Sequence, residues 1–152
     1  AQIYSNLQDN REKVLVLDLD HTLMCNFKQG ETPAKGLYCP VIIQSALKLI
    51  FHFSFSIVEE KGAKYQFTVV KRPGLEKFLY EVSKHYRLML YTTSLEEYAI
   101  GVLRVLGILP VFEKVFHRDH CVQLSDGTWL KSMKNVGEPL ENIVFLDVSI
   151  HI

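Results

Sequence analysis

Val14-Leu15-Val16-Leu17-Asp18-Leu19-Asp20-His21-Thr22-Leu23 decides how the rest of this chain is read. An unbroken apolar run empties into two carboxylates one residue apart, and a threonine follows two positions later. A half-exposed strand alternates apolar and polar side chains. An unbroken run instead fits a strand buried on both faces, as in a parallel sheet. Carboxylates at the end of such a strand lose solvation unless a partner compensates them. In an open α/β sheet that carboxyl end is where ligands bind. Asp18 and Asp20 are therefore candidate site residues from their position alone.

The rest of the composition sets bounds on this reading. With 152 residues, 48% apolar and 22% charged, the chain suits one soluble domain with a sizeable core. Seventeen basic and 17 acidic residues cancel, so no global pull toward nucleic acid or anionic membrane is expected. Cys25, Cys39 and Cys121 are odd in number and form no CxxC, which reads as three reduced thiols of a nuclear or cytoplasmic protein. Residues 1–13 are polar and lack the apolar centre of a signal sequence. No apolar run is long enough to span a bilayer; 47–58 comes nearest, but Lys48, His52 and two serines interrupt it.

Along the chain, residues 1–12 read as a polar lead-in and 13–19 as the first strand. Residues 24–36 carry Gly30 and Pro33 and read as a loop. Residues 38–45 show no clear period, and 46–51 fit a strand or a short helix. Strands at 51–59 and 64–71 flank Glu60-Lys61-Gly62-Ala63, so 38–71 is expected to be an antiparallel insertion. Pro73 suits the first turn of a helix whose apolar stripe is Leu75, Phe78, Leu79 and Val82. A second core strand at 86–91 ends at Thr92-Thr93-Ser94. Ser94 is the expected N-cap of a helix with Glu96 and Glu97 in its first turn. That helix carries Leu95, Tyr98, Val102 and Leu106 on one side and ends at Gly107 and Pro110. A short strand at 113–116, a hairpin pairing 121–124 with 128–130, and a last strand at 142–146 ending in Asp147 complete the reading.

Three strand ends thus present Asp18/Asp20, Thr92 and Asp147, and right-handed crossovers bring them to one sheet edge. Phosphoryl transfer needs such a set. Asp18 suits the nucleophile that forms an aspartyl-phosphate. Asp20 suits the acid that protonates the departing oxygen and then the base that activates water. Thr92 offers a hydroxyl and a backbone N–H to phosphate, and Lys131 offers a positive charge. Asp147 either helps to hold a metal or orients Lys131. Mg²⁺ is the expected cofactor, since it takes one or two carboxylates plus phosphate and waters. Each residue has a bland reading too. A DxDxT is short, Thr92 alone is usually a turn hydroxyl, Lys131 alone a solvated lysine, and Asp147 alone a strand end. Their occurrence together and in order favours the site. His117, His120 and Cys121 are only part of a zinc set, which wants four ligands, and read as surface and core residues. Arg118 suits recognition of a phosphorylated substrate. Phe51, Phe53 and Phe55 alternate as one inward face of a strand.

The segments Leu17-Asp18-Leu19-Asp20-His21-Thr22-Leu23, Lys71-Arg72-Pro73-Gly74-Leu75, Tyr91-Thr92-Thr93-Ser94-Leu95-Glu96-Glu97-Tyr98-Ala99 and Phe145-Leu146-Asp147 resemble the FCP/SCP-type phosphatases of the haloacid dehalogenase superfamily, the NLI-interacting-factor-like domain. Arg118-Asp119-His120-Cys121 and Trp129-Leu130-Lys131 are similar as well. The resemblance covers about residues 12–149. It implies an α/β, Rossmannoid parallel sheet with helices on both faces and a small antiparallel β insertion after the first strand, with no large cap. Residues 1–152 then form one domain whose C-terminal end is shortened. It further implies a Mg²⁺-dependent protein serine/threonine phosphatase acting on phosphoserine or phosphothreonine, with the RNA polymerase II C-terminal domain among the family's substrates. Carried over, Asp18 and Asp20 are catalytic, Thr92, Thr93 and Lys131 bind phosphate, Arg118 meets substrate, and Asp18, Asp20 and Asp147 form the metal end. No direct nucleic-acid partner and no membrane association are implied. Val148 stands where the family usually has Asp or Asn, so the alternative is a non-catalytic phosphopeptide-binding pseudophosphatase. A small-molecule phosphatase of the superfamily would need a larger cap than any segment here provides.

Overall fold

The opening run forms β1 (Val14–Leu17), with all four side chains buried, at the centre of a parallel sheet. The computed structural model describes residues 11–28, 53–58 and 64–148. On one side β1 pairs with β5 (Arg87–Tyr91) and on the other with β9 (Ile143–Leu146); β6 (Lys114–Phe116) lies beyond β5. Successive β1 side chains enter opposite layers, as the pleat requires. Leu15 and Leu17 join Leu88 and Leu90 in one apolar cluster, while Val14 and Val16 join Met89 and Tyr91 in the other. Both faces are therefore core, as the unbroken pattern requires.

Among the described residues two α-helices cover the first layer: α1 (Leu75–Ser83), through Leu75 and Leu79, and α2 (Glu96–Val105), through Tyr98, Ala99, Val102 and Leu103. The second layer is covered differently. Val136 and Met133, on a 3-10 turn at Met133–Val136, pack there with Cys121. Crossover handedness accounts for the split. The connections from β1 to β5 and from β5 to β6 advance the same way across the sheet, but the one from β6 to β9 reverses. Right-handed crossovers then place the first two on one face and the last on the other. That last connection contains the hairpin of β7 (Val122–Gln123) and β8 (Trp129–Leu130).

The insertion is a second, antiparallel sheet in the order β2 (Met24–Lys28), β4 (Lys64–Lys71), β3 (Phe53–Val58). Residues 24–28, expected as loop, are thus a strand. Cross-strand pairing with residues some 40 positions later overrides their lack of a run of β-formers. The readings of residues 1–10, 29–52, the 60–63 turn and the last four residues fall outside the described residues, as does the facing of Phe51, Phe53 and Phe55.

Local details correct four further expectations. Gly74, at φ 77°, caps α1, so Pro73 precedes the helix instead of opening it. Phe78 of the expected stripe is exposed. Leu95, not Ser94, is the N-cap of α2 and makes no side-chain cap bond. Fourth, Cys25 is disulfide-bonded and Cys121 is a free thiol, so the chain does not carry three reduced thiols. Sequence spacing does not report which thiols the fold brings within bonding distance. The C-terminus of α2 follows expectation. Gly107 is left-handed at φ 70°, its N–H donates to the Arg104 carbonyl, and the Ile108 N–H donates to that of Leu103. This is the Schellman pattern. Among the described residues no helix is long and apolar enough to cross a membrane.

Candidate active site

The chain turns sharply after β1, and the turn carries both carboxylates. The Asp18 N–H continues the sheet by donating to the Leu146 carbonyl (3.0 Å), which fixes the nucleophile candidate beside the end of β9. The Asp18 side chain is buried. Its Oδ2 accepts from the Thr22 hydroxyl at 3.1 Å and its Oδ1 from Lys131 Nζ at 2.7 Å. Lys131 Nζ also donates to Asp147 Oδ2 at 2.6 Å. All three side chains are under a tenth exposed. Burial pushes the Asp18 carboxyl above the ordinary carboxylate range; Lys131 pulls it down and the Asp147 charge raises it again.

Lys131 reaches this place because Tyr91 anchors its connection. Tyr91, on the second-layer face of β5, donates its hydroxyl to the His120 carbonyl (2.6 Å) and accepts from the Ser132 N–H (3.3 Å). Asn135 Nδ2 donates to the same His120 carbonyl at 2.6 Å. A residue 113 positions from Asp18 is thereby held in contact with it.

Asp20 occupies a different environment. Its Oδ1 accepts from Asn26 Nδ2 (2.8 Å) and from the Tyr98 hydroxyl (2.7 Å), and its Oδ2 accepts from the Ser94 hydroxyl (2.9 Å). Asn26 also donates to the Tyr98 oxygen. Burial, followed by the Asp20 charge, pushes the Tyr98 phenol far above its ordinary value, so it stays a protonated donor. None of these three partners was legible as a site residue. Asn26 falls in the stretch read as loop, Tyr98 belongs to an apolar stripe, and Ser94 reads as a cap. The one available signal is that Tyr in a buried stripe needs a partner for its hydroxyl.

Thr92 is buried, and its backbone N–H is spent on the Phe116 carbonyl (3.0 Å), so that group is not available to phosphate. Its hydroxyl oxygen accepts from the Ser94 N–H at 3.1 Å, shaping the turn into α2. Thr93 is half-buried, and its carbonyl accepts from Arg118 Nε at 2.9 Å. The Arg118 guanidinium lies 5.4 Å from the centre of the Trp129 ring. His117 and His120 contact each other edge to face, with ring centres 4.3 Å apart. Cys121 donates weakly to the Thr92 and His117 carbonyls.

The structure therefore brings Asp18, Lys131 and Asp147 into one cluster, with Asp20 facing its own donors. Among the described residues no group of three His, Cys, Asp or Glu side chains is arranged to hold a metal, neither the expected Asp18–Asp20–Asp147 set nor a zinc site. Asp20 is the odd one out because both its oxygens point at Asn26, Tyr98 and Ser94. Asp18 and Asp147 remain as two carboxylates bonded to one ammonium. That donor set fits Mg²⁺, which takes one or two carboxylates and fills its other positions with phosphate oxygens and water.

Residues 13–151 match the family described as NLI interacting factor-like phosphatase. CTD small phosphatase-like protein 1 of Caenorhabditis elegans is 32% identical over 143 residues, which is 93% of this chain and 25% of the relative. Phosphatase Herzog of Drosophila melanogaster is 31% identical over 144 residues, 94% of this chain and 35% of the relative. The fold is similar to that of the fission yeast RNA polymerase II CTD phosphatase Fcp1 bound to beryllium fluoride. The TM-score is 0.64 at 21% identity, over 95% of this chain and 39% of that one. The chain thus spans between 25% and 39% of the length of these proteins.

Proposed function

The chain belongs to the NLI interacting factor-like phosphatase family, and on that premise we propose that it hydrolyses phosphoserine or phosphothreonine in a protein substrate through an aspartyl-phosphate on Asp18. One observation carries this reading: Asp18 lies buried at the end of the central strand, fixed between the Thr22 hydroxyl and a lysine shared with Asp147. A carboxylate so held is pre-aimed, and aim accounts for much of the catalysis in phosphoryl transfer.

In the first half-reaction an Asp18 oxygen attacks phosphorus and the bond to the serine or threonine oxygen breaks. Asp20 gives that oxygen its proton. In the second, Asp20 takes a proton from water, whose oxygen attacks the phosphorus of the aspartyl-phosphate and frees the Asp18 carboxylate and inorganic phosphate. Lys131 offsets charge at the phosphate and keeps Asp18 and Asp147 together. Thr92 and Thr93 line the phosphate end through the turn after β5. Asp18 and Asp147 would hold Mg²⁺, which would supply positive charge against the repulsion between a carboxylate and a phosphate dianion. Arg118, fixed to the Thr93 carbonyl and lying near Trp129, meets the substrate chain beside the phosphate. An extended segment such as the RNA polymerase II C-terminal domain suits a site that carries no large cap among the described residues.

The test is hydrolysis of p-nitrophenyl phosphate by the purified chain. We expect turnover with Mg²⁺, none after EDTA, and a loss of roughly a thousandfold or more in Asp18→Asn. Undiminished turnover by Asp18→Asn rejects the mechanism. A second reading, phosphopeptide binding without turnover, has its own support. Val148 offers no ligand after Asp147, and no three-carboxylate group is present among the described residues. Mg²⁺-dependent turnover rejects it, whereas phosphopeptide affinity with no turnover rejects the first.

A further inference from the structure

The Lys71-Arg72-Pro73-Gly74 segment takes no part in the chemistry above, yet Arg72 is bonded to the turn that carries both catalytic carboxylates. Three successive carbonyls of that turn end on it. Arg72 Nη2 donates to the His21 carbonyl (2.9 Å), Nε to the Thr22 carbonyl (2.7 Å), and the Arg72 N–H to the Leu23 carbonyl (2.9 Å). The N–H groups of the same turn are used internally. Those of Thr22 and Leu23 donate to the Leu19 carbonyl (3.3 and 3.0 Å), and that of His21 to the Met24 carbonyl (2.7 Å).

The turn needs outside support. His21, at φ 62°, is the one non-glycine residue with positive φ among the described residues. A side chain in that region is strained and persists only where its surroundings over-determine the backbone. Its neighbours are the working groups. Asp20 precedes it, and Thr22, whose hydroxyl is bonded to Asp18, follows it. The peptide planes that Arg72 grips therefore set two directions at once: that of Thr22 toward the nucleophile, and that of Asp20 toward Asn26, Tyr98 and Ser94.

Arg72 is well placed to act as a fixed clamp. It stands between the end of β4 and the left-handed Gly74 that caps α1, and its carbonyl accepts the Leu75 N–H at 3.1 Å. Its planar fork reaches two carbonyls simultaneously, which a lysine ammonium on a flexible stem does not reproduce.

We propose that Arg72 is a positioning residue for phosphoryl transfer, holding the Asp20–Leu23 turn so that Asp18 and Asp20 address one phosphate. The role rests on the phosphatase reading above. The test compares Arg72→Lys and Arg72→Ala with the parent chain in p-nitrophenyl phosphate kinetics and in amide hydrogen exchange over residues 19–24. Both variants are expected to lose kcat by about ten- to a hundredfold with KM nearly unchanged, because small misplacements of reacting groups cost that much. The Thr22 and Leu23 amides exchange faster while those of β1 and β5 keep their protection. Arg72 is exposed, so Arg72→Lys is expected to fold and decides the question if Arg72→Ala does not. Parental kcat in Arg72→Lys, unchanged exchange in the turn, or a raised KM at parental kcat each overturns the proposal while leaving the phosphatase reading intact. A parent chain that hydrolyses nothing overturns the phosphatase reading, and this role with it.

Discussion

Asp18 and Asp20 are separated by one leucine, yet they occupy opposite kinds of surroundings. Asp18 is buried between a hydroxyl and an ammonium that it shares with a second carboxylate, Asp147. Asp20 faces three neutral donors drawn from β2, from α2 and from the turn before α2. The first is a charge held by charge; the second is a carboxylate held by dipoles. Acid–base pairs at active sites work when two similar groups are given dissimilar environments. Here the difference comes from topology. The crossover from β6 to β9 delivers Lys131 and Asp147 to one carboxylate, and the insertion and α2 deliver Asn26 and Tyr98 to the other.

The largest effect that tests this contrast comes from removing the shared cation. Lys131→Met removes the ammonium that Asp18 and Asp147 share, and both carboxylates are under a tenth exposed. Breaking a buried pair this way typically costs about 3–5 kcal/mol. Urea denaturation should show a loss of that size, and p-nitrophenyl phosphate turnover should fall by roughly a hundred- to a thousandfold. A variant as stable as the parent would mean that Lys131 does not offset the carboxylates, and the contrast would fail on the Asp18 side.

The Asp20 side predicts smaller losses of a different kind. Asp20→Ala removes the carboxylate to which Asn26, Tyr98 and Ser94 all donate, at about 1–3 kcal/mol for a lost buried acceptor. Tyr98→Phe removes only one donor and should cost about 1 kcal/mol, with a drop in kcat and little change in KM. Thermal melts and steady-state kinetics on the two variants give the comparison. Were Tyr98→Phe to cost as much as Asp20→Ala, the three donors would not share the carboxylate, and Tyr98 alone would hold it.

The two halves of the site were unequally legible in the sequence. The Asp18 half was readable because each member ends a strand-like run or stands just before one, and crossover rules bring such ends together. Lys131 was placed by the same logic, although only the fold reveals Tyr91 as its anchor. The Asp20 half was not readable, because its donors serve ordinary local roles on paper: a loop amide, a helix stripe, a cap. Hydrophobic period cannot distinguish a tyrosine packed for its ring from one also recruited for its hydroxyl. The β2 strand was missed for a related reason, since its pairing partner lies in β4, far along the chain. The Arg72 clamp acts on backbone carbonyls, which no side-chain pattern discloses.

The smallest expected effect is also the most direct measure of the contrast. Burial, the dominant influence, raises the folded-state carboxyl of Asp18 above its ordinary value of 3.8, against the pull of Lys131. A group whose pKa is higher folded than unfolded binds more protons when folded, so its contribution to stability is full below the ordinary value and is lost as pH rises through the raised one. Asp18→Asn has no such group. In chelator-treated protein, the stability of Asp18→Asn relative to the parent should therefore climb as pH is brought up from the acid side through that window, and then level off. Denaturant titrations of both proteins at several pH values read this directly. A constant gap would mean that Lys131 fully cancels the burial of Asp18. A gap that closes with rising pH would reverse the sign and place Asp18 with the carboxylates that prefer their folded surroundings, which is the behaviour expected of a group held only for structure.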